Sequence, residues 1–159
     1  MKKTLQITEQ NARKLYAKAS AEFRTTLEDT FGKEFFSMNI TDRIKTYEDA
    51  CDELGEQPIN EDLLRSAGFT EDEINYRKLK TITKALNEGW VADYTNDKQE
   101  KWWPWFHHPV SSSGFVFDDA LYYYSSATAG SGSRLCFKNS DLAEYAGKQF
   151  TELYKNFIL

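Results

Sequence analysis

Hydrophobic residues recur at helical spacing through the first ninety residues of the chain. Residues 8–23 predict a helix capped by Thr8, and residues 27–31 predict a second helix that Gly32 ends. A third helix is predicted over residues 41–54, with Gly55 at the position of a left-handed C-terminal cap. Asn60 can cap a short helical turn after it. This part of the chain is therefore predicted to be helical.

The fourth helix has the clearest start signal in the sequence. Thr70 and Glu73 have the spacing of a capping box, in which each residue satisfies a backbone donor of the other. The buried stripe that follows consists of Ile74, Leu79, Ile82 and Leu86, and Gly89 is expected to end the helix.

After Trp90 the pattern changes to alternation with period two, which is typical of strands. Residues 101–107, 115–124 and 133–138 are predicted strands, joined by linkers short enough for hairpins. We therefore expect a three-stranded antiparallel meander. Pro104 cannot donate a ladder hydrogen bond, so the first strand should lie at an edge.

A last helix is predicted from Ser140 or Asp141 onward, with one apolar face to cover one side of the sheet. Gly147 in its middle is explained if helix and strand approach closely there. The fold class is α+β: N-terminal helices, a meander, and a C-terminal helix packed on it. We expect one domain over residues 1–159, with a helical arm at 1–38, a helical part at 39–90, and the sheet with its helix at 91–159.

Composition narrows the class of protein. The chain has 159 residues, and its net charge of −5 argues against binding nucleic acid over the whole surface, which needs clustered cations. Its two cysteines are expected to be reduced, and no apolar run approaches the ~20 residues that span a bilayer. The first residues lack the apolar stretch of a signal peptide, so a cytoplasmic location is expected.

Two constellations could carry chemistry, and both favour ordinary structural roles. His107 and His108 lie across the first hairpin from Asp118 and Asp119, but neighbours on a strand point to opposite faces. Only one His and one Asp could then meet, fewer than the three or four ligands of a zinc site. We predict no metal, no cofactor and no catalytic residue.

The second constellation is a glycine-rich loop with Gly130 and Gly132, followed by Arg134. Phosphate-binding loops need a following helix whose N-terminal amides face the anion, and here a strand is predicted. A flexible hairpin is the favoured interpretation. An anion contact at Gly130, Gly132 and Arg134 remains an alternative.

The aromatic residues indicate a contact surface, because 15% of the chain is Phe, Trp or Tyr. On an extended strand Trp103 and Trp105 share one face, while Trp102 and Phe106 share the other. The last helix can cover only one of these faces. The N-terminal helices are the simplest cover for the other, a protein partner is the second, and stacked bases are the third. The predicted partner-binding residues are Trp102, Trp103, Trp105, Tyr122 and Tyr124.

Several segments resemble a family of small uncharacterised proteins from Bacteroidetes genomes, often found in phage, prophage or mobile-element regions. The likeness runs through residues 31–36, 41–54 (TDRIKTYEDACDEL), 85–90 (ALNEGW), 103–106 (WPWF) and 133–150 (SRLCFKNSDLAEYAGKQF). The resemblance implies a bacterial or phage source and a cytosolic setting, but no activity and no catalytic residue. Members of that family tend to carry an acidic residue where this chain has His107, which argues against a histidine-based site.

Together these observations favour a non-enzymatic protein that binds a protein partner or self-associates through an aromatic edge strand, with the N-terminal helices as an oligomerising arm. The alternative is a nucleic-acid-binding accessory protein that uses the same aromatic residues with Lys98, Lys101, Arg134 and Lys138. A third interpretation, an enzyme with an anion-binding loop at residues 130–134, requires a concave pocket there.

Overall fold

The computed structural model describes residues 7–108, 114–124 and 133–159. Three helices open this part of the chain: α1 (Glu9–Lys18), α2 (Ala21–Phe31) and α3 (Lys33–Ser37). The single helix predicted over residues 8–23 is therefore wrong in extent, although Thr8 caps its start as predicted. The break comes at Ser20, whose hydroxyl accepts a hydrogen bond from the Phe23 N–H and starts a new helix.

Aromatic rings hold these three helices together. Tyr16 on α1 stacks on Phe36 on α3 with ring centroids 4.1 Å apart, and Phe35 and Phe36 meet edge to face at 4.8 Å. The Arg13 guanidinium lies 3.6 Å from the centre of the Phe35 ring. The partly buried Phe35 and Phe36 rings thus pack α3 within the N-terminal arm.

The predicted third helix is also interrupted. It consists of α4 (Ile40–Arg43) and α5 (Tyr47–Leu54). Thr46 and Asp49 form a capping box, and the Asp49 carboxylate also accepts from the Lys45 N–H at 2.9 Å. Burial alone would raise the pKa of Asp49, but these backbone donors and the Thr46 hydroxyl outweigh it and lower the pKa. Gly55 ends α5 in the left-handed conformation, as predicted.

Two helices follow as predicted: α6 (Glu61–Ser66), capped by Asn60, and α7 (Glu71–Leu86). The Glu73 carboxylate accepts from the Thr70 N–H at 2.9 Å, which confirms the reach-back of the capping box. The predicted stripe is fully buried along α7. The helix ends at Leu86 with Asn87 as its C-cap, so the predicted end at Gly89 is wrong by two residues, although Gly89 has a φ of 89° in the turn that follows. The buried stripe consists of Ile74, Leu79, Ile82 and Leu86.

The sheet has two antiparallel strands in the described residues, β1 (Lys101–His107) and β2 (Val116–Tyr123). The predicted α+β class is confirmed, but the third strand of the meander is not formed. Ser133–Leu135 is a 3₁₀ turn, and Phe137 makes a single antiparallel bridge to Trp102. This bridge lies on the side of β1 opposite β2. Along a strand the backbone N–H and C=O groups of every second residue point the same way, so the backbone of Pro104, like that of Trp102, points away from β2. The N–H group that proline lacks would therefore not have bonded to β2.

The C-terminal helix is split into α8 (Ser140–Gln149) and α9 (Thr151–Ile158) at Phe150, whose backbone is not helical. Asn139, not Ser140 or Asp141, is the cap, because its side chain accepts from the Leu142 N–H. The apolar faces of α8 and α9 join α4, α5, α7 and the 135–137 segment in one buried cluster. The predicted covering of one sheet face by this helix is confirmed.

Gly147 explains how closely α8 approaches the sheet. A Cβ atom at this position would lie 2.3 Å from a Phe117 ring carbon and 2.8 Å from Cβ of Pro104. Such distances are far below van der Waals contact, so only glycine fits here. The close helix–strand approach predicted from this glycine is confirmed.

Candidate partner-binding groove

The β1–β2 ribbon has two faces with different surroundings. Cross-strand partners point to the same side, so the face toward α8, called the inner face, carries Trp102 opposite Tyr122 and Pro104 opposite Ala120. Trp102, Ala120 and Phe106 pack against the main buried cluster. The inner face is thus covered from within the chain at Trp102, Ala120 and Phe106, whereas Tyr122 on the same face is exposed.

The opposite side, called the outer face, carries the other two tryptophans. Trp103 lies opposite Leu121 and Trp105 lies opposite Asp119. Trp103 is 6% exposed, whereas Trp105 is 54% exposed. A large aromatic ring so far in solvent is unusual unless a partner covers it. On the outer face, β1 is therefore covered at Trp103 and exposed at Trp105, and Leu121 of β2 is also exposed.

A groove of about 610 Å³ lies beside Trp103 and Trp105. Its walls come from both strands, from Leu135 in the 3₁₀ turn, and from the end of α9. The residues that α9 contributes are Tyr154, Phe157, Ile158 and the following Leu159. No residue of the described N-terminal helices lines it, so the expected cover by those helices is wrong for this groove.

Stacked rings form the inner end of the groove. Phe106 lies 4.7 Å from Phe115 and 4.9 Å from Tyr154, measured between ring centroids. Burial raises the pKa of the Tyr154 hydroxyl. These contacts fix the shape of the groove, because β1, the segment before β2 and α9 supply rings to one cluster.

The lining of the groove is almost uncharged. Among the described residues, no Asp, Glu, Lys or Arg side chain lines it, and His108 is the titratable group besides the tyrosines. An uncharged concave surface of this kind favours apolar side chains over phosphate or sugar. Chemically, the groove can bind an apolar segment but offers little for proton or group transfer.

The predicted contact residues separate into two groups. Trp103 and Trp105 line the groove, as the alternation on β1 predicts. Trp102, Tyr122 and Tyr124 do not line it. They form an aromatic cluster of their own, with Trp102 and Tyr122 centroids 4.5 Å apart and Tyr122 and Tyr124 centroids 5.6 Å apart.

Sequence reasoning missed the contribution of the chain end to the groove. Phe157, Ile158 and Leu159 line it, and Ile158 and Leu159 are 52% and 72% exposed. The sequence pattern predicts only that the apolar face of the last helix covers the sheet. The available signal is the length of that face, which continues to Phe157 in the sequence.

The cations of the nucleic-acid alternative are not gathered around the aromatic residues. Lys101 is fully buried, and its ammonium donates to the carbonyl oxygens of Gln99, Asn96 and Tyr124. Lys138 forms an ion pair with Glu88 at 2.9 Å. Neither side chain is available to neutralise phosphate beside Trp105.

The remaining candidate sites gain no support as reaction centres. No hydrogen bond or ion pair joins His107 to Asp118 within the part of the chain that the structure describes. His107 is paired with Val116, and Asp118 lies at a β-bulge opposite the Trp105–Phe106 step. The described residues contain no group of three or more His, Cys, Asp or Glu able to hold a metal. Gly130 and Gly132 lie outside the described residues, whereas Arg134 lies in a second cleft.

Comparisons with known proteins identify no family for this chain. No protein-family model, no curated protein and no solved structure matches it. Among the helices that the structure describes, none combines the length and the apolar character required to cross a membrane.

Proposed function

We propose that this chain is a non-enzymatic protein that binds a protein partner, or a second copy of itself, through the groove beside β1. The observation that carries the proposal is Trp105, which is 54% exposed in an uncharged apolar groove. Tryptophan side chains placed in this way are enriched among the residues that dominate interface energetics.

The edge of β1 beyond the Phe137 bridge determines how a partner would be recognised. Pro104 faces this edge and has no N–H to donate, so a partner strand could not form a full ladder there. Recognition would then depend on apolar side chains entering the groove, with Trp105 and the exposed end of α9 as its walls. This favours an apolar segment of a protein as the occupant.

Nucleic-acid binding is the weaker candidate. Stacking platforms for bases come with a basic groove along the backbone, and the described lining of this groove has no lysine or arginine. Lys101, which the alternative requires, is used internally.

The biological setting belongs to the same proposal. We place the protein in the cytosol of a bacterium, in a phage or mobile-element context of Bacteroidetes, and the sequence resemblance is the support for that context. Cys51 and Cys136 are both buried and form no disulfide, which is compatible with a reducing compartment.

The proposal is tested with Trp105→Ser and, as a matched control, Leu63→Ser. Leu63 is 65% exposed on α6 and does not line the groove, so both substitutions remove an exposed apolar side chain. Sedimentation velocity over a concentration series measures self-association of the purified chain. Affinity purification of the tagged chain from its source cells, followed by reconstitution with each purified candidate, measures partner binding.

We expect Trp105→Ser to weaken one of these two interactions about thirtyfold, as for a contact worth roughly 2 kcal/mol, and Leu63→Ser to leave it unchanged. Both variants should unfold at the wild-type urea concentration, because both side chains are more than half exposed. A chain that stays monomeric and whose reconstituted partners bind Trp105→Ser normally would refute the proposal.

A further inference from the structure

A second cleft, of about 510 Å³, lies between α7 and the segments around Trp90 and Arg134. Three cationic side chains line it from α7, and Arg134 lines it from the 3₁₀ turn. The three on α7 are Arg77, Lys80 and Lys84. They are spaced three and four residues apart, which places them along one side of the helix. No Asp or Glu is among the described residues that line the cleft.

Most of this positive charge is not neutralised by acids. Of the four cations, Lys84 alone is paired with a described acidic residue, through Glu56 at 2.5 Å. The Arg77 guanidinium lies 4.7 Å from the Phe69 ring centre, and the Lys80 ammonium lies 5.0 Å from the Tyr76 ring centre. Contact with a ring orients a cation but leaves its full charge. In a chain of net charge −5, this cleft is therefore a local site of opposite sign.

The rest of the lining combines polar residues, Thr81, Thr83 and Asn87, with apolar ones, and it includes one large aromatic ring. Trp90 is partly exposed and lines the cleft together with Ile59, Val91 and Cys136. An anion alone would not need such a surface, whereas a ligand with a planar apolar portion would stack there. The volume of the cleft lies within the range of small-molecule sites, and a single tryptophan ring can stack against a single base.

We propose that this cleft binds a nucleotide, with its base against Trp90 and its phosphates among the four cations. Lysine and arginine donate charge-assisted hydrogen bonds to phosphate oxygens, the strongest class available to these side chains. The site differs from the predicted anion-binding loop, because its cations come mainly from α7, and Arg134 is the one residue that the two share.

The nucleotide cleft is independent of the partner-binding groove. Arg134 and Cys136 line the cleft, whereas Leu135 between them lines the groove. The two sites therefore lie on opposite sides of one short segment and share no lining residue. Either proposal can fail without the other.

Calorimetric titration of the purified full chain with three probes tests the inference: ATP without divalent cations, inorganic tripolyphosphate, and adenosine. We expect ATP to bind more tightly than either of the other two, because only ATP engages both the cations and Trp90. Its Kd should rise steeply with salt, since three of the four cations are exposed, Lys80 is partly exposed, and salt screens their attraction for phosphate. No binding of ATP, or equal binding of ATP and tripolyphosphate, would overturn the assignment.

Variants locate the binding in the cleft. Lys80→Gln with Lys84→Gln should weaken ATP binding at least tenfold, as for the loss of one charge-assisted hydrogen bond. The matched control is Lys14→Gln with Lys18→Gln, which removes two exposed lysines at the same spacing on α1. Equal losses in the two pairs would indicate a general charge effect and contradict the proposal.

Trp90→Leu separates the base from the phosphates. It should weaken ATP binding at least about fivefold, as for the loss of one stacked base, while the affinity for tripolyphosphate stays the same. A Trp90→Leu chain that binds ATP as tightly as wild type would refute the stacking role. Wild-type far-UV circular dichroism and thermal unfolding would confirm that the variants are folded.

Discussion

At the scale of single residues, Lys101 is the position where sequence and structure differ most. A lysine at the start of a strand normally extends into solvent, and the sequence pattern gave no other indication. Instead its side chain is fully buried, and its ammonium bonds to three carbonyl oxygens. Asn96 and Gln99 lie within 5 residues of Lys101, whereas Tyr124 is 23 residues away and is brought to it by the β1–β2 hairpin. Burial of this kind depends on tertiary placement, so local pattern could not predict it.

Lys101→Met should lower the free energy of unfolding by about 2 kcal/mol or more, because it removes the three hydrogen bonds that the charged ammonium donates. Lys98→Met is the control, since Lys98 is an exposed lysine of the same segment and should change stability by less than about 0.5 kcal/mol. Urea unfolding followed by circular dichroism measures both. If the two variants were equally stable, the internal role of Lys101 would be wrong.

At the scale of elements, the sequence predicted which segments are helical better than where each helix stops. The apolar stripe of α7 and its Thr70–Glu73 start are local signals, and both are confirmed. The breaks at Ser20 and Thr46 are also made by local caps, but the apolar spacing continues across them and hides them. A capping residue inside a continuous apolar pattern should therefore be taken as evidence of a helix boundary.

The prediction of a third strand is wrong for a different reason. Residues 133–138 alternate as a strand does, but the 3₁₀ turn and a single bridge at Phe137 take the place of a ladder. The bridge joins the far side of β1, so this segment does not extend the hairpin as a meander would. Pairing between segments is a tertiary property, and alternation alone does not specify it.

Gly147→Ala tests the contact between α8 and the sheet. Alanine in an open helix interior would stabilise the chain by roughly 1 kcal/mol relative to glycine. Here the added methyl group would clash with Phe117 and Pro104, so we expect a loss of about 1–3 kcal/mol in the free energy of unfolding. Urea unfolding measures the change.

A Phe117→Leu background provides the control, because the smaller side chain makes room for the methyl group. The loss caused by Gly147→Ala should be smaller in that background, which a double-mutant cycle quantifies. A stabilising Gly147→Ala change in the wild-type background would show that the approach is looser than described.

At the scale of the whole molecule, the candidate groove could be predicted only in part. The alternation on β1 correctly placed Trp103 and Trp105 on one face and Trp102 on the other. The sequence could not indicate that α9 ends beside that face, because this depends on the break at Phe150 and on the packing of Phe106 against Tyr154. The sequence therefore predicts the part of the groove that β1 contributes, but not the part that α9 contributes.

The central claim is that a protein covers Trp105, and site-specific photo-crosslinking tests it most directly. p-Benzoylphenylalanine at position 105 is compared with the same residue at position 63, in the purified chain and in its source cells. We predict crosslinks from position 105, to a second copy or to one defined protein, that position 63 does not give. No crosslink from position 105 in either setting, or the same products from both positions, would contradict the claim.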